Sequence, residues 1–281
     1  MNSYTIKSHA KVNLALNVTG KKTKLHKIES LISFIDLHDL IYLKQIKKKD
    51  HKISFKGKFS KNIGRKNTIA ILLRLLDKKK FLDNKKFDIK IIKNIPQKAG
   101  MGGGSMNAAS LISFFINKKI LKIKKNQLIE LINKIGSDVI LGIKPSNTIL
   151  SSNGDLKRYD KNIKFYTLVV KPSFGCSTKH VFSKVKSFSK SQFNPPKQKM
   201  FRAEYLKTLN NDLEKIVFNK YPKLKKIKLF LSTMPNNILV RMSGSGSSIV
   251  AYFHSKRACG NAYTQFKRKY NGYWCITSKT I

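Results

Sequence analysis

The run Pro96-Gln97-Lys98-Ala99-Gly100-Met101-Gly102-Gly103-Gly104-Ser105-Met106-Asn107-Ala108-Ala109 decides how the rest of the chain is read. Four of the chain's 15 glycines fall within positions 100–104, which clears side chains from a stretch where a bulky anion must approach the backbone. Glycine also permits the positive φ angles that turn successive N–H groups inward. Upstream, Phe87, Ile89 and Ile91 alternate with Asp88 and Lys90, the period of a strand, and Pro96 ends regular pairing. Downstream, residues 107–120 carry apolar side chains at helical spacing. Strand, glycine loop and helix start together make an anion cradle, because the first N–H groups of a helix lack partners and carry partial positive charge. The expected ligand bears phosphates; the plainer alternative is a flexible glycine turn that binds nothing.

Two other phosphate loops fail on the letters. A Walker A loop ends in Gly-Lys-Ser/Thr, whereas Gly104-Ser105 is followed by Met106. A dinucleotide fingerprint would place its third glycine or alanine at 105, which is Ser, and no acid stands about 20 residues further on.

Working outward, alternation predicts strands over residues 4–18, 28–35 and 40–46, with a polar corner at 36–39 between the last two. Helical spacing predicts a helix over 67–82, capped by Asn67 or Thr68. A second helix covers 126–135 and stops at Gly136. Later come a strand at 165–171, helices at 203–221 and 223–233, and a strand at 238–242. The glycine run Ser243-Gly244-Ser245-Gly246-Ser247-Ser248 leads into a strand at 249–254, then a helix at 256–270 and a strand at 273–278. The class is α+β, with a domain boundary near 161–164 that divides the chain into 1–162 and 163–281.

Composition narrows the setting. With 41% hydrophobic and 26% charged residues, the 281-residue chain can bury a core. No apolar stretch approaches the ~20 residues a membrane helix needs, and residues 1–13 mix polar residues with Val and Ile without an apolar h-region, so secretion is not expected. Cys176, Cys259 and Cys275 have neither metal-ligand spacing nor an even count, so they read as core or incidental thiols. A cytoplasmic protein is expected, without a membrane partner. The net charge of +44 invites nucleic-acid binding, but it is spread along the chain as Lys, with Arg scarce. That texture matches an AT-rich genome better than a specific nucleic-acid site.

With 14 carboxylates in all, a general base is easy to shortlist. Asp138, in Gly136-Ser137-Asp138-Val139, is a proton-acceptor candidate past a helix end, or else a capping aspartate. Lys11 interrupts an apolar strand, and either reaches outward or pairs with an acid. The 243–248 run resembles a second backbone-donor loop, or a hairpin turn.

Together these segments resemble the GHMP kinase superfamily, whose hallmark is Pro followed by a glycine-rich run ending in Ala-Ala. Residues 96–109 match it with Met101 in a slot usually leucine. Three further segments are similar to the branch that phosphorylates a cytidine diphosphate-methylerythritol in isoprenoid biosynthesis: Ala10-Lys11-Val12-Asn13-Leu14, the triple glycine with Asn107-Ala108-Ala109, and Gly136-Ser137-Asp138-Val139. Smaller echoes are His26-Lys27-Ile28-Glu29-Ser30 and Asn211-Asp212-Leu213-Glu214.

The resemblance implies a two-domain GHMP kinase fold: an N-terminal domain like ribosomal protein S5 domain 2 and a ferredoxin-like C-terminal domain. It implies ATP and Mg²⁺ as cofactors, with ATP at Pro96, Gly100, Gly102, Gly103, Gly104, Ser105 and Asn107, Asn67 near the adenine, and the substrate between the domains. Asp138 and Lys11 become the catalytic pair, for proton removal from a 2-hydroxyl. Asn13 meets the polyol, His26 the cytosine and Thr178 the rim, with Gly244 and Gly246 also on the substrate side. The metal ligands are unassigned, and the chain is a monomer or homodimer. Other readings are a homoserine or mevalonate kinase type, an RNA-binding protein with an S5-like half, and a degenerate kinase. Departures from the pattern are Leu25 where a base-stacking tyrosine is usual, Met106 for serine, and Ile140 for proline.

Overall fold

A computed structural model describes the chain except for residues 1, 2, 22, 24 and 161–163. The domain junction expected between 162 and 163 therefore lies outside the described residues. The chain divides into two compact units: Met1–Lys11, Leu37–Pro96 and Gly102–Pro145 form one, and Val12–Asp36, Gln97–Met101 and Ser146–Ile281 form the other. Two long strands, β1 (Ser3–Lys21) and β2 (His26–Ile46), contribute residues to both.

Alternation along β1 places Ala10, Val12, Leu14, Leu16 and Val18 on one face, all buried. The opposite face carries Lys11, Asn13 and Asn17, which are buried too, so each needs a polar partner. Asn13 Nδ2 donates to Ser30 Oγ at 2.8 Å and Asn17 Nδ2 to Glu29 Oε1 at 2.8 Å. Polar groups thus line one face of a strand whose other face is core.

In the first unit, β4 (Lys86–Ile92) pairs antiparallel with β2 (Leu40 opposite Ile92) and parallel with β3 (Lys52–Lys56; Ile53 opposite Ile89). Parallel neighbours need a crossover, and α1 (Thr68–Lys78) provides it. Its buried stripe of Ile69, Leu72, Leu73 and Leu76 joins Ile41, Phe87, Ile89 and Phe115 in the unit's core. Asn67 caps α1 as expected: Oδ1 accepts the N–H groups of Ile69 (3.1 Å) and Ala70 (3.0 Å). Asn67→Ala is expected to cost about 1 kcal/mol, read as a lowered urea midpoint, while Asn67→Ser keeps most of that stability. Beyond the glycine loop come α2 (Gly103–Asn117), α3 (Lys125–Ile135) and α4 (Val139–Ile143).

The second unit holds an antiparallel sheet of β7 (Tyr166–Lys171), β8 (Asn237–Met242), β9 (Ile249–Phe253) and β10 (Trp274–Lys279) in the order β10-β7-β9-β8. Counted along the chain this is 4-1-3-2, the ferredoxin-like arrangement. Helices α5 (Thr178–Ser183), α6 (Ala203–Thr208), α7 (Leu213–Lys220) and α8 (Pro222–Ser232) precede β8, and α9 (Lys256–Lys269) links β9 to β10. Leu168, Val170, Ala251 and Phe253 pack with Val217, Leu224, Ile227 and Phe266. Residues 30–32 of β2 pair with β5 (Asn147–Leu150), which forms a hairpin with β6 (Leu156–Tyr159). All three cysteines are buried and free, and burial pushes the Cys176 thiol up to about 11.

Three local expectations are corrected. No corner exists at 36–39, because β2 runs through it with Asp39 buried and fully occupied by donors. The second correction concerns α2, which starts at Gly103 rather than 107: Gly102 at φ 66° accepts Met106 N–H at 2.8 Å, so context outweighs low glycine propensity. The helix expected over 203–221 breaks between 208 and 213. There Asn211 Oδ1 accepts Leu213 N–H at 3.0 Å and Asp212 Oδ2 accepts Val18 N–H at 2.7 Å, so polar side chains outcompete helical pairing.

Candidate active site

In the first unit, Lys11 Nζ stands 3.4 Å from Asp138 Oδ2. The lysine side chain is 7% exposed and the carboxylate 41%, so a buried cation is held beside an acid that solvent and ligands can reach. Asp138 precedes α4, yet its side chain makes no capping bond. Of the two readings open to each residue in the sequence, the structure takes the paired one for Lys11 and leaves the carboxylate of Asp138 clear of a helix cap.

The same place receives the glycine loop. A Cβ added at Gly102 would stand 3.0 Å from Lys11 Cγ and 3.3 Å from its Cε, so the lysine stem runs against a residue without a side chain. At Gly103 a Cβ would meet Ile95 Cγ2 at 3.1 Å and Lys93 Nζ at 3.4 Å; at Gly104 it would meet Thr68 Oγ1 at 3.2 Å. Thr68 Oγ1 also donates to the Gly104 carbonyl at 2.8 Å, tying the start of α1 to the loop. Ser105 Oγ lies 3.8 Å from where a Gly136 Cβ would be, which brings the loop's only hydroxyl to the segment that carries Asp138. These glycines leave the leading N–H groups of α2 uncovered, as a phosphate cradle requires.

Asn107 and Pro96 occupy the loop's flanks. Asn107 is 1% exposed and donates through Nδ2 to Asp39 at 3.0 Å. Met106 points into the interior: a Cβ on Gly142 would come within 2.9 Å of its sulfur and 2.7 Å of Ala109 Cβ. The side chain that replaces the usual serine thus fills the close approach of α2 and α4.

In the second unit, residues 97–101 are clasped by the second glycine run. Ser243 Oγ donates to the Gly100 carbonyl at 2.9 Å, and Ser247 and Ser248 N–H donate to Lys98 (3.3 Å) and Ala99 (3.2 Å) carbonyls. Gly100, at φ 72°, is packed so tightly that a Cβ would stand 1.9 Å from the Ser243 carbonyl oxygen. Asn13 joins this cluster: its N–H donates to Ser243 Oγ at 3.2 Å, and its Oδ1 lies 3.2 Å from a Cβ position on Gly244. Thr178 Oγ1 and Ser245 Oγ share a hydrogen bond at 2.9 Å, and Gly246 abuts Met242 and Cys176. Next to His26 stand the rings of Phe182, at 5.3 Å, and Phe188, at 6.4 Å, while Leu25 is 71% exposed.

Sequence reasoning quoted Asn211 as a family echo but gave it no role; its Nδ2 donates to the Met242 and Gly244 carbonyls at 2.8 Å each and so shapes the second loop. Its signal was the Asn-Asn-Asp run inside an otherwise helical pattern. Asp39, read as a corner residue, was missed.

Residues 67–149 match the GHMP kinases N terminal domain. The chain is 68% identical over 281 residues, covering all of both sequences, to 4-diphosphocytidyl-2-C-methyl-D-erythritol kinase of Pelagibacter ubique strain HTCC1062. It is 32% identical to the enzyme of the same name from Clostridium botulinum strain Hall, over 94% of this chain and 96% of that one. Among solved structures, a 4-(cytidine 5'-diphospho)-2C-methyl-D-erythritol kinase superposes with a TM-score of 0.78 at 22% identity, covering 98% of this chain and 99% of that one. A homoserine kinase from Cytophaga hutchinsonii follows with 0.73 at 14%, covering 100% and 95%. Among the described residues, no helix is long and apolar enough to cross a membrane.

Proposed function

We propose, for a chain that belongs to the 4-diphosphocytidyl-2-C-methyl-D-erythritol kinases of the GHMP superfamily, that the Lys11–Asp138 pair carries phosphoryl transfer from ATP to that substrate's 2-hydroxyl. The protein is an ATP-dependent small-molecule kinase with the GHMP kinase fold. The observation that carries the residue assignment is the buried lysine 3.4 Å from a reachable, uncapped carboxylate, with its stem against the glycine loop.

Asp138 accepts the proton of the attacking hydroxyl. The hydroxyl oxygen forms a bond to the γ-phosphorus, the bond to the β–γ bridging oxygen breaks, and ADP leaves with its electron pair. Lys11 keeps Asp138 ionised beforehand and offsets negative charge as it develops. The N–H groups of Gly102, Gly103, Gly104 and Ser105 hold the phosphates, Pro96 and Gly100 shape the loop, and Asn107 acts from its flank. Asn67 reads the adenine in addition to capping α1. Asn13 orients the polyol, His26 pairs with the cytosine, and Thr178, Gly244 and Gly246 bound the substrate.

Mg²⁺ fits the site because it is held mainly by substrate phosphates and water, which leaves the Asp138 carboxylate beside Lys11 free to act as base. When bound, it supplies charge neutralisation on the transferring phosphoryl group. We place the protein in the cytoplasm and the boundary of its two domains at 162/163.

An ADP-release assay with the purified protein, ATP, Mg²⁺ and a panel of alcohols tests the assignment. Turnover with 4-diphosphocytidyl-2-C-methyl-D-erythritol is expected. Turnover confined to homoserine or mevalonate would refute it.

A further inference from the structure

Asp39 is fully buried on β2, and four donors converge on its carboxylate. Oδ1 accepts the backbone N–H groups of Asn94 at 2.7 Å and Ile95 at 2.8 Å. Oδ2 accepts the Asn107 amide at 3.0 Å and pairs with the ammonium of Lys93, itself buried. The Asn94 side chain adds a bond to the His38 carbonyl at 3.0 Å. Every one of these four donors belongs to a residue flanking the glycine loop: 93–95 lie just before Pro96, and Asn107 lies in the second turn of α2.

We propose that Asp39 is a positioning residue for nucleotide binding, one carboxylate that fixes both ends of the phosphate loop. The inference rests on the kinase reading of that loop. A glycine-rich segment has more conformational freedom to lose than any other, so ordering it at the moment of binding weakens affinity. Clamping the residues on each side shrinks that freedom beforehand. Charge-assisted bonds suit the task, being roughly twice as strong as neutral ones. The clamp also reaches the loop directly, since Ile95 and Lys93 are the nearest neighbours of a Cβ position at Gly103. Asn107 then serves ATP through Asp39: its Nδ2 is committed to the carboxylate, and its Oδ1 is buried with no hydrogen-bond partner.

Asp39→Asn tests this with nearly the same shape. One oxygen remains for Asn94 and Ile95, while the new amide sets donors against Lys93 and Asn107. The KM for ATP, and the Kd for ATP by calorimetry, are expected to rise about tenfold or more, with the KM for the alcohol within about twofold of wild type. Adding Asn107→Asp restores a donor–acceptor pair and is expected to recover ATP affinity to within about threefold. If Asp39→Asn does not fold, Asn107→Ala, which removes one donor and no charge, carries the same split in KM. Equal rises in both KM values, constants unchanged from wild type, or no recovery in the double variant would each overturn the role of Asp39. Wild-type protein without ATP turnover would overturn the kinase reading itself, whereas wild-type turnover with unchanged variant constants overturns this inference alone.

Discussion

Asp138→Asn is expected to lower kcat on the order of a thousandfold while leaving ATP affinity intact. The substitution keeps the size of the side chain and removes its ability to take a proton, and general-base catalysis contributes about 10²–10⁴ in rate. The loss of charge also leaves the ammonium of Lys11 facing a neutral amide at a buried position, so its electrostatic contribution to the transition state changes with it. Effects on folding are smaller, because the Asp138 side chain is 41% exposed and caps no helix. Steady-state kinetics and ATP calorimetry on the same preparation separate the two quantities. A kcat within threefold of wild type would remove Asp138 from the chemistry. A fall in ATP affinity that matches the fall in rate would reassign it to nucleotide binding.

The second large effect is expected at Gly100→Ala. The new methyl would lie 1.9 Å from the Ser243 carbonyl oxygen and 2.8 Å from its carbon, both backbone atoms that no side-chain rotation can move. Its φ of 72° adds the cost of left-handed backbone for an L residue. Strain and overpacking together cost about 3 kcal/mol or more, which the chain can relieve only by separating residues 97–101 from the 243–248 run. The expected result is a protein with a lowered urea midpoint whose ATP Kd rises by at least an order of magnitude, since the loop then loses its set shape. A variant with wild-type stability and ATP affinity would show that the clasp by Ser243, Ser247 and Ser248 does not shape the loop.

These two sites differ in how plainly the sequence displays them. The glycine run is legible because the requirement proposed for it is local: a phosphate cradle needs uncovered backbone N–H groups, and glycine is the residue that leaves them so. Asp138 is legible only as a candidate. Its meaning depends on Lys11, which lies on a distant strand and looks there like a lysine that reaches outward. The superfamily resemblance joined the two, and the 3.4 Å separation gives that joining a physical form.

Asp39 was hidden for the opposite reason. A polar stretch between two apolar runs usually marks a turn, and nothing in the letters tells a solvated aspartate from one buried under four donors. The break at residues 209–212 was masked by apolar spacing that continues across it, although the run Asn210-Asn211-Asp212 carries the chemistry that breaks it. The short strands β5 and β6 left no periodic signal at all, being too brief for alternation to register. Met106 shows a further limit: the sequence registers a missing hydroxyl, while packing against Gly142 shows that the side chain there is interior.

The central claim is that this chain moves the γ-phosphoryl group of ATP onto 4-diphosphocytidyl-2-C-methyl-D-erythritol with Asp138 as base. The most direct measurement follows γ-³²P-labelled ATP into product, with Mg²⁺, the substrate, and either wild-type protein or Asp138→Asn. The account predicts label in a phosphomonoester of the cytidine-bearing product, released by alkaline phosphatase, with formation slowed on the order of a thousandfold in the variant. Label found only in inorganic phosphate, or transferred equally fast by both proteins, would contradict it.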